Sequence, residues 1–268
     1  MADAAAAHDV VVLAAMPEEL APLRALLTDA RPVAGFGVDI VAGRLGASRV
    51  VLAVTGDGDR NARVRAAVVL ALAPARSLLA IGVAGALSAD LVPGELVAVT
   101  HVLRERGPLL AASPQLVDAA GPHARVGSAL TVDHIADSAA EKQRLLAIAA
   151  PHGGTAAAVV VDLESAAYAE AAIAARIPWL ILRAVSDTAA EALPALLNRS
   201  RDAGGAVRRG RVVAGLLREP SALPRLLGLR RRVTACAEAL ALGAARVIAA
   251  HCAGSPASPT ALAAAART

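Results

Sequence analysis

Aromatic side chains are nearly missing from this chain, where Phe36, Tyr168 and Trp179 are the only three. A core without rings must rest on many close aliphatic contacts. Ala, Val and Leu supply them: hydrophobic residues fill 56% of the 268 positions, enough for a sizeable core. Cysteine is also scarce. Cys236 and Cys252 are too few and too late for a disulfide framework or a metal site, and read as buried or incidental thiols. His8, His101, His123, His134, His152 and His251 show no metal-ligand spacing. No serine sits in a nucleophile-elbow context. No apolar run reaches the roughly 18–20 residues of a membrane span; the nearest approach, from Ala66, is broken by Arg76. Residues 1–8 hold no basic n-region, which argues against a signal peptide and makes the cytoplasm the expected compartment.

Lysine occurs once, at Lys142, so the use of arginine elsewhere partly reflects a bias of the whole chain. The charge is still uneven. Between Arg199 and Arg232 ten arginines face two acids, a local +8 within a net charge of +4, so the rest of the chain sums to −4. Such a stretch suits an anionic membrane surface, a phosphate-bearing ligand or a partner; a solvated helix face explains it as well.

Short β-type runs alternate with helical ones. Strands are expected over residues 9–15, 40–44, 49–55, 78–83, 95–103, 126–132, 157–161 and 178–185. Helices are expected over 17–27, 59–72, 138–149 and 163–176, and throughout the part after about 206. Strands buried on both faces and separated by helices imply an α/β fold with a mixed, largely parallel central sheet covered by helices on both faces. With no linker and no internal repeat, one domain is expected over 9–250, of which 206–250 is a helical, basic C-terminal part. Residues 1–8 and the Ala/Pro/Ser-rich 255–268 are expected to be disordered.

Ligands in such folds bind at the carboxyl ends of strands, and the unusual residues fall there. Arg183 interrupts an apolar strand, where an unpaired charge costs several kcal/mol in order of magnitude, so an acid must lie near it. Asp187 stands just past that strand, either reaching into a cleft or capping a turn. Asp162 and Glu164 stand where a strand passes into a helix, and either could simply stabilise the helix N-terminus. Tyr168 follows Glu164 one turn later on the same face. The first strand delivers Glu18 and Glu19 instead of a Rossmann glycine turn, one toward the cleft and the other toward solvent. Gly56-Asp57-Gly58 and Gly82-Val83-Ala84-Gly85 read as glycine turns that let backbone N–H groups approach an anion or a sugar; plain tight turns are the commoner case. Arg60 opens a helix beside the first of them, where an anion would also find the helix dipole favourable.

Taken in order, these pieces resemble the purine nucleoside phosphorylase and methylthioadenosine/S-adenosylhomocysteine nucleosidase superfamily. The pieces that carry the resemblance are Met16-Pro17-Glu18-Glu19, Thr55-Gly56-Asp57-Gly58, Gly82-Val83-Ala84-Gly85-Ala86-Leu87 with Pro93-Gly94-Glu95-Leu96-Val97, Asp162-Leu163-Glu164-Ser165-Ala166-Ala167 and Arg183-Ala184-Val185-Ser186-Asp187. Val132-Asp133, Ala140-Glu141-Lys142 and the stretch 218–226 are similar to the hopanoid-associated phosphorylase branch, implicated in removing adenine from adenosylhopane.

The resemblance implies a three-layer phosphorylase-type fold and a dissociative glycosidic cleavage of an adenosine-type nucleoside, by phosphorolysis or hydrolysis. Asp187 would protonate the leaving base, Glu164 would hold the ribose hydroxyls and Glu19 would orient water. Leu163, Val83, Ala84 and Gly85 would line the substrate, while Gly56, Gly58 and Arg60 could hold phosphate. No metal or organic cofactor is implied; phosphate is a possible co-substrate. The expected partners are the small nucleoside and further copies of the chain, as a dimer or larger, with no nucleic acid. A peripheral contact with the inner membrane face through the basic C-terminal helices is a further expectation. Two features depart from the family pattern: Val83 stands where many relatives carry Ser, and residues 126–160 hold no Phe, Tyr or Trp to stack on the base. Ordinary methylthioadenosine/S-adenosylhomocysteine nucleosidase activity is the alternative, and a silent nucleoside-binding protein is an alternative of another class. Retention of Glu164, Arg183 and Asp187 together argues against the silent reading.

Overall fold

The structure, a computed structural model, describes residues 8–34, 37–153, 158–202 and 207–254. In chain order its elements are β1 (His8–Ala14), α1 (Pro17–Ala25), β2 (Thr28–Pro32), β3 (Asp39–Leu45), β4 (Ser48–Val54), α2 (Asp59–Leu72), β5 (Ala75–Ala86), β6 (Leu96–Arg104), β7 (Leu110–Ala111), α3 (Pro114–Ala120), β8 (Arg125–Thr131), α4 (Ala139–Gly153), β9 (Ala158–Asp162), α5 (Ser165–Ala174), β10 (Trp179–Asp187), α6 (Leu196–Arg199), α7 (Arg209–Arg218) and α8 (Leu223–Gly254). His8, expected in a disordered end, opens β1. The expected disorder of 1–7 and 255–268 lies outside the described residues.

All ten strands share one mixed sheet, in the order β10-β6-β8-β9-β5-β1-β4-β3-β2, with β7 beside β6. β5 also pairs with β10, so β5, β9, β8, β6 and β10 close into a ring from which β1 to β4 extend as an open wing. Parallel pairing holds the centre: β1 lies between β4 and β5, β10 follows β5 and β8 joins β6 to β9. Antiparallel pairs close the ring at β10–β6 and β5–β9 and build the outer wing. Strand β10 is buried along its whole length, as a strand covered on both faces must be.

Helices α3 and α8 pack against β10, and α1 lies between α8 and strands β1, β4 and β5; α2 pairs with α5, which rests on β5, β6, β8 and β10, and α4 covers β8 and β9. Helix α5 is Ser-Ala-Ala-Tyr-Ala-Glu-Ala-Ala-Ile-Ala; its small side chains let its backbone lie close to the sheet. The only phenol in the chain, Tyr168, is fully buried there. Its hydroxyl is satisfied by Thr55 Oγ1 at 2.6 Å, which pins α5 to the end of β4.

The structure departs from the sequence expectation in three places. β2 is a fully exposed edge strand ending in Pro32; Pro is tolerated at an edge and blunts it, but Thr-Asp-Ala-Arg-Pro carries no apolar alternation to announce a strand. β7 and α3 fill residues 110–120, for which the sequence pattern announces no element. The third difference concerns membrane-length segments. Helix Pro220–Ala253, 34 residues, is by length and composition apolar enough to cross a bilayer. An unbroken run misses it because Glu238 and Arg246 punctuate it. One face, Cys236, Leu240, Ala244, Val247 and Ile248, is buried in the core, the behaviour of a core helix.

Candidate active site

The ends of β1, β5, β9 and β10 meet at a cleft of about 300 Å³, at the small end of ligand cavities. Its floor is built by a register that the sequence encodes in glycines. Arg183 of β10 lies directly beside Gly82 of β5, and a Cβ on Gly82 would collide with the Arg183 guanidinium and stand 3.0 Å from Glu19 Oε1. Gly85 pairs with Asp187, and a Cβ there would meet Asp187 Oδ2 at 3.1 Å. Both glycines lie inside β5, which runs on to Ala86, so the expected turn at 82–85 is corrected: they make room for charged side chains of the next strand. Between Val185 and Asp187 the register slips by one residue. Such a bulge re-aims side chains, and here both Ser186 and Asp187 line the cleft.

Arg183 is fully buried and finds the acid its position demands. Nε donates to Asp162 Oδ2 at 2.8 Å and Nη2 to Ser165 Oγ at 3.0 Å. Burial works against its charge, but Asp162, Glu164, Tyr168 and Glu19 together outweigh this and hold it above its ordinary pKa. Asp162 also takes the Ser165 N–H at 3.1 Å and its hydroxyl. The helix-start role weighed for Asp162 is therefore real, alongside the ion pair.

Glu164, the residue before α5, turns its carboxylate across the cleft to the Gly58 N–H at 2.7 Å. Burial, reinforced by Asp162 and Glu19, pushes its carboxyl up to about 8 against the pull of Arg183 and Gly58. Glu19 is buried and Glu18 exposed. Glu19 accepts the N–H groups of Val83 and Met16, both at 3.0 Å, so it caps α1 while facing β5. Burial pushes its pKa up despite those donors. Asp187 is also buried. Ser186 Oγ donates to its Oδ1 at 2.5 Å and Lys142 Nζ to its Oδ2 at 2.5 Å.

Of the ten residues to which the resemblance gives a role, seven line this cleft: Glu19, Val83, Ala84, Gly85, Leu163, Glu164 and Asp187. Three do not. Gly56 faces an adjoining cavity. Gly58, at φ +84°, has its N–H committed to Glu164. Arg60 is exposed and lines neither cavity; the cation beside Gly56 is Arg65, which lines the adjoining cavity with Asn61.

Sequence reasoning missed Lys142, Ser186 and His134. The His134 imidazole lines the cleft and provides a ring where Phe, Tyr and Trp are missing. It is bonded to Asp133 at 2.8 Å and Glu141 at 3.0 Å; burial lowers its pKa, but these two acids outweigh that and raise it. A motif search limited to carbocyclic rings and metal spacings passes over it. Leu193, Leu197, Val207, Leu229 and Val233 form an apolar wall whose members lie too far apart in sequence to be grouped.

Comparison with known proteins places this geometry. A 5'-methylthioadenosine/S-adenosylhomocysteine nucleosidase of Mycobacterium bovis is 29% identical, over 67% of this chain and 86% of its own length. Among solved structures, an S-adenosylhomocysteine nucleosidase from Streptococcus pyogenes, in complex with 5-methylthiotubericidin, superposes with a TM-score of 0.70 at 19% identity, covering 92% of this chain and 98% of that one. A Helicobacter pylori futalosine hydrolase mutant gives 0.70 at 16% identity, covering 90% and 99%. At such identities the structures establish the shared fold, a mixed sheet between helices. The family model described as phosphorylase superfamily matches residues 9–219, most of the chain and every residue of the cleft except Leu229 and Val233. The chain therefore belongs to the phosphorylase superfamily and is an enzyme of its nucleoside phosphorylase and nucleosidase class.

Proposed function

We propose that the protein cleaves the N-glycosidic bond of an adenosine-type nucleoside carrying a bulky apolar 5′ substituent of the adenosylhopane kind. The observation that carries the reading is the convergence of Glu19, Glu164 and Asp187, from three separate strand ends, on one cleft with a largely apolar remainder. As C1′–N9 breaks, the electron pair goes to the base and positive character develops on the ribose. Asp187 gives a proton to a purine ring nitrogen as that pair arrives. Glu164 accepts the ribose hydroxyl hydrogens; burial disfavours its carboxylate, and the developing oxocarbenium charge offsets that burial in the transition state. Water adds to C1′ and gives its proton to Glu19, whose raised pKa suits a base.

Water is favoured over phosphate by the cleft's lining. Glu19, Asp57, Asp162, Glu164 and Asp187 line it, with no Arg or Lys among the described lining residues. A phosphate dianion would find no cation there to pair with. The apolar wall of Leu193, Leu197, Val207, Leu229 and Val233 supports the 5′ assignment: the zwitterion of S-adenosylhomocysteine would be buried against it without partners, at a cost. A lipid-linked substrate must be met at a bilayer. α7 and the start of α8 expose Val213, Leu217, Leu223 and Leu227 among exposed Arg208, Arg211, Arg218, Arg225 and Arg230, a basic amphipathic surface suited to an anionic interface.

The test is incubation with adenosine, 5′-methylthioadenosine, S-adenosylhomocysteine and a 5′-deoxy-5′-alkyl adenosine, with and without phosphate, followed by chromatography. The expected products are adenine and the free sugar, fastest from the alkyl nucleoside. Sugar 1-phosphate formed only with phosphate would replace hydrolysis by phosphorolysis. Binding without release of base would overturn the catalytic reading.

A further inference from the structure

The single lysine of the chain is fully buried at the site, and the mechanism above does not use it. Lys142 sits near the start of α4, 1% exposed. Its ammonium has three protons, and three acceptors meet it: Asp187 Oδ2 at 2.5 Å, the Thr188 carbonyl at 2.6 Å and the Glu191 carbonyl at 3.0 Å. A buried ammonium is tolerated only when paired and fully hydrogen-bonded, and here every donor is engaged. The arrangement is specific to Asp187. Its Oδ1 is held by Ser186 and its Oδ2 by Lys142, so neither oxygen can turn without breaking a short bond. The two carbonyls belong to the segment directly after β10, which carries Leu193 of the apolar wall. Arg232 of α8 closes the same segment from the other side, donating to Glu191 Oε1 at 2.5 Å and the Ser186 carbonyl at 2.8 Å. A chain that uses arginine at every other Lys/Arg position has lysine here. The compact three-donor head fits three converging acceptors, whereas a planar guanidinium fork does not.

We propose that Lys142 is a positioning residue for glycosidic cleavage: it fixes the Asp187 carboxylate toward the leaving base and ties the following segment to it. This rests on the cleavage reading, and the experiment separates the two. Wild type, K142M, D187N, K142R and the double variant K142M/D187N are compared on an adenosine-type nucleoside and on p-nitrophenyl riboside, whose phenolate departs without a proton. Melting curves report folding. The double variant removes both charges and so avoids a buried unpaired carboxylate. If Lys142 acts through Asp187, K142M loses about 30-fold or more in kcat on the nucleoside with little change in KM. It then loses under about threefold on the nitrophenyl riboside, and the double variant is no slower than D187N alone. K142R recovers part of the loss. Equal losses on both substrates, or losses that multiply in the double variant, would mean a merely structural lysine and overturn the proposal. K142M within threefold of wild type on the nucleoside would do the same. If K142M does not fold, the double variant against D187N decides alone. A wild type that releases no base from the nucleoside overturns the cleavage reading itself, and with it this role.

Discussion

A carboxylate buried in an apolar cleft is held there at a cost to the fold, and Glu164, proposed to hold the ribose, makes that measurable. Its side chain ionises near 4.5 when unfolded and near 8 in the folded cleft, chiefly because of burial. Between those values the folded state binds the extra proton, so the stability it contributes is full below about 4.5 and falls as pH rises toward 8. E164Q keeps an acceptor for Gly58 and removes the titration. It is expected to be more stable than the parent by about 4 kcal/mol at pH 8 and nearly equal to it near pH 4.5, while losing about 100-fold or more in activity. Melting curves across pH, with kcat on ribo and 2′-deoxy substrates, check this. A variant less stable at pH 8, or a parent that accepts both sugars equally, contradicts the assignment. At this scale much was legible. The cost of burying Arg183 predicted a nearby acid, found at Asp162. Lys142 was not legible, because one charge at a helix start reads as solvated and its partner lies 45 positions away.

At the scale of elements, the two glycines of β5 were noticed in sequence as anion-binding turns, but the structure assigns them to strand packing. G82A is expected to push Arg183 off Asp162 and cost about 3–5 kcal/mol, the usual loss on breaking a buried ion pair. G85A, with contacts of 3.1 Å to Asp187 Oδ2 and 3.3 Å to Val161 Cγ1, should fold and lose about tenfold or more in kcat by displacing Asp187, the proposed acid. Denaturant titration and kinetics on the pair check this; a stable, active G82A would contradict the packing account. The basic surface of α7 and α8 calls for another measurement. Each Arg near an anionic bilayer contributes about 1 kcal/mol, so the protein should sediment with anionic but not neutral vesicles, and less so at high salt. R230A/R231A/R232A should weaken this. Arg232 also bonds Ser186 and Glu191, so R230A/R231A alone serves as the variant that spares the site. Binding indifferent to salt and charge would remove the membrane contact. Long apolar strands and the helices between them were legible because burial on both faces leaves unbroken Val, Leu and Ile runs. β2 and β7 were not, being short edge segments with no apolar alternation.

For the whole molecule, the α/β class and the mixed sheet between helices followed from alternating strand and helix patterns. The ring of β5, β9, β8, β6 and β10 did not, because closure depends on β5 pairing with a strand a hundred residues away, which no local pattern encodes. The cleft was legible as a set of strand ends but not in its apolar wall, which helices close from distant parts of the chain. We predict a homo-oligomer, at least a dimer, by light scattering at micromolar concentration; a monomer there would contradict this. The claim on which the account depends most is that this cleft breaks a purine glycosidic bond with Asp187 as the acid. The direct measurement is the rate of adenine release from a 5′-deoxy-5′-alkyl adenosine by wild type and by D187N, each checked for an unchanged fold by circular dichroism. The account predicts release by the wild type and a loss of about two to four orders of magnitude in D187N. Turnover of D187N within tenfold of the parent, or no adenine from either protein, would contradict it.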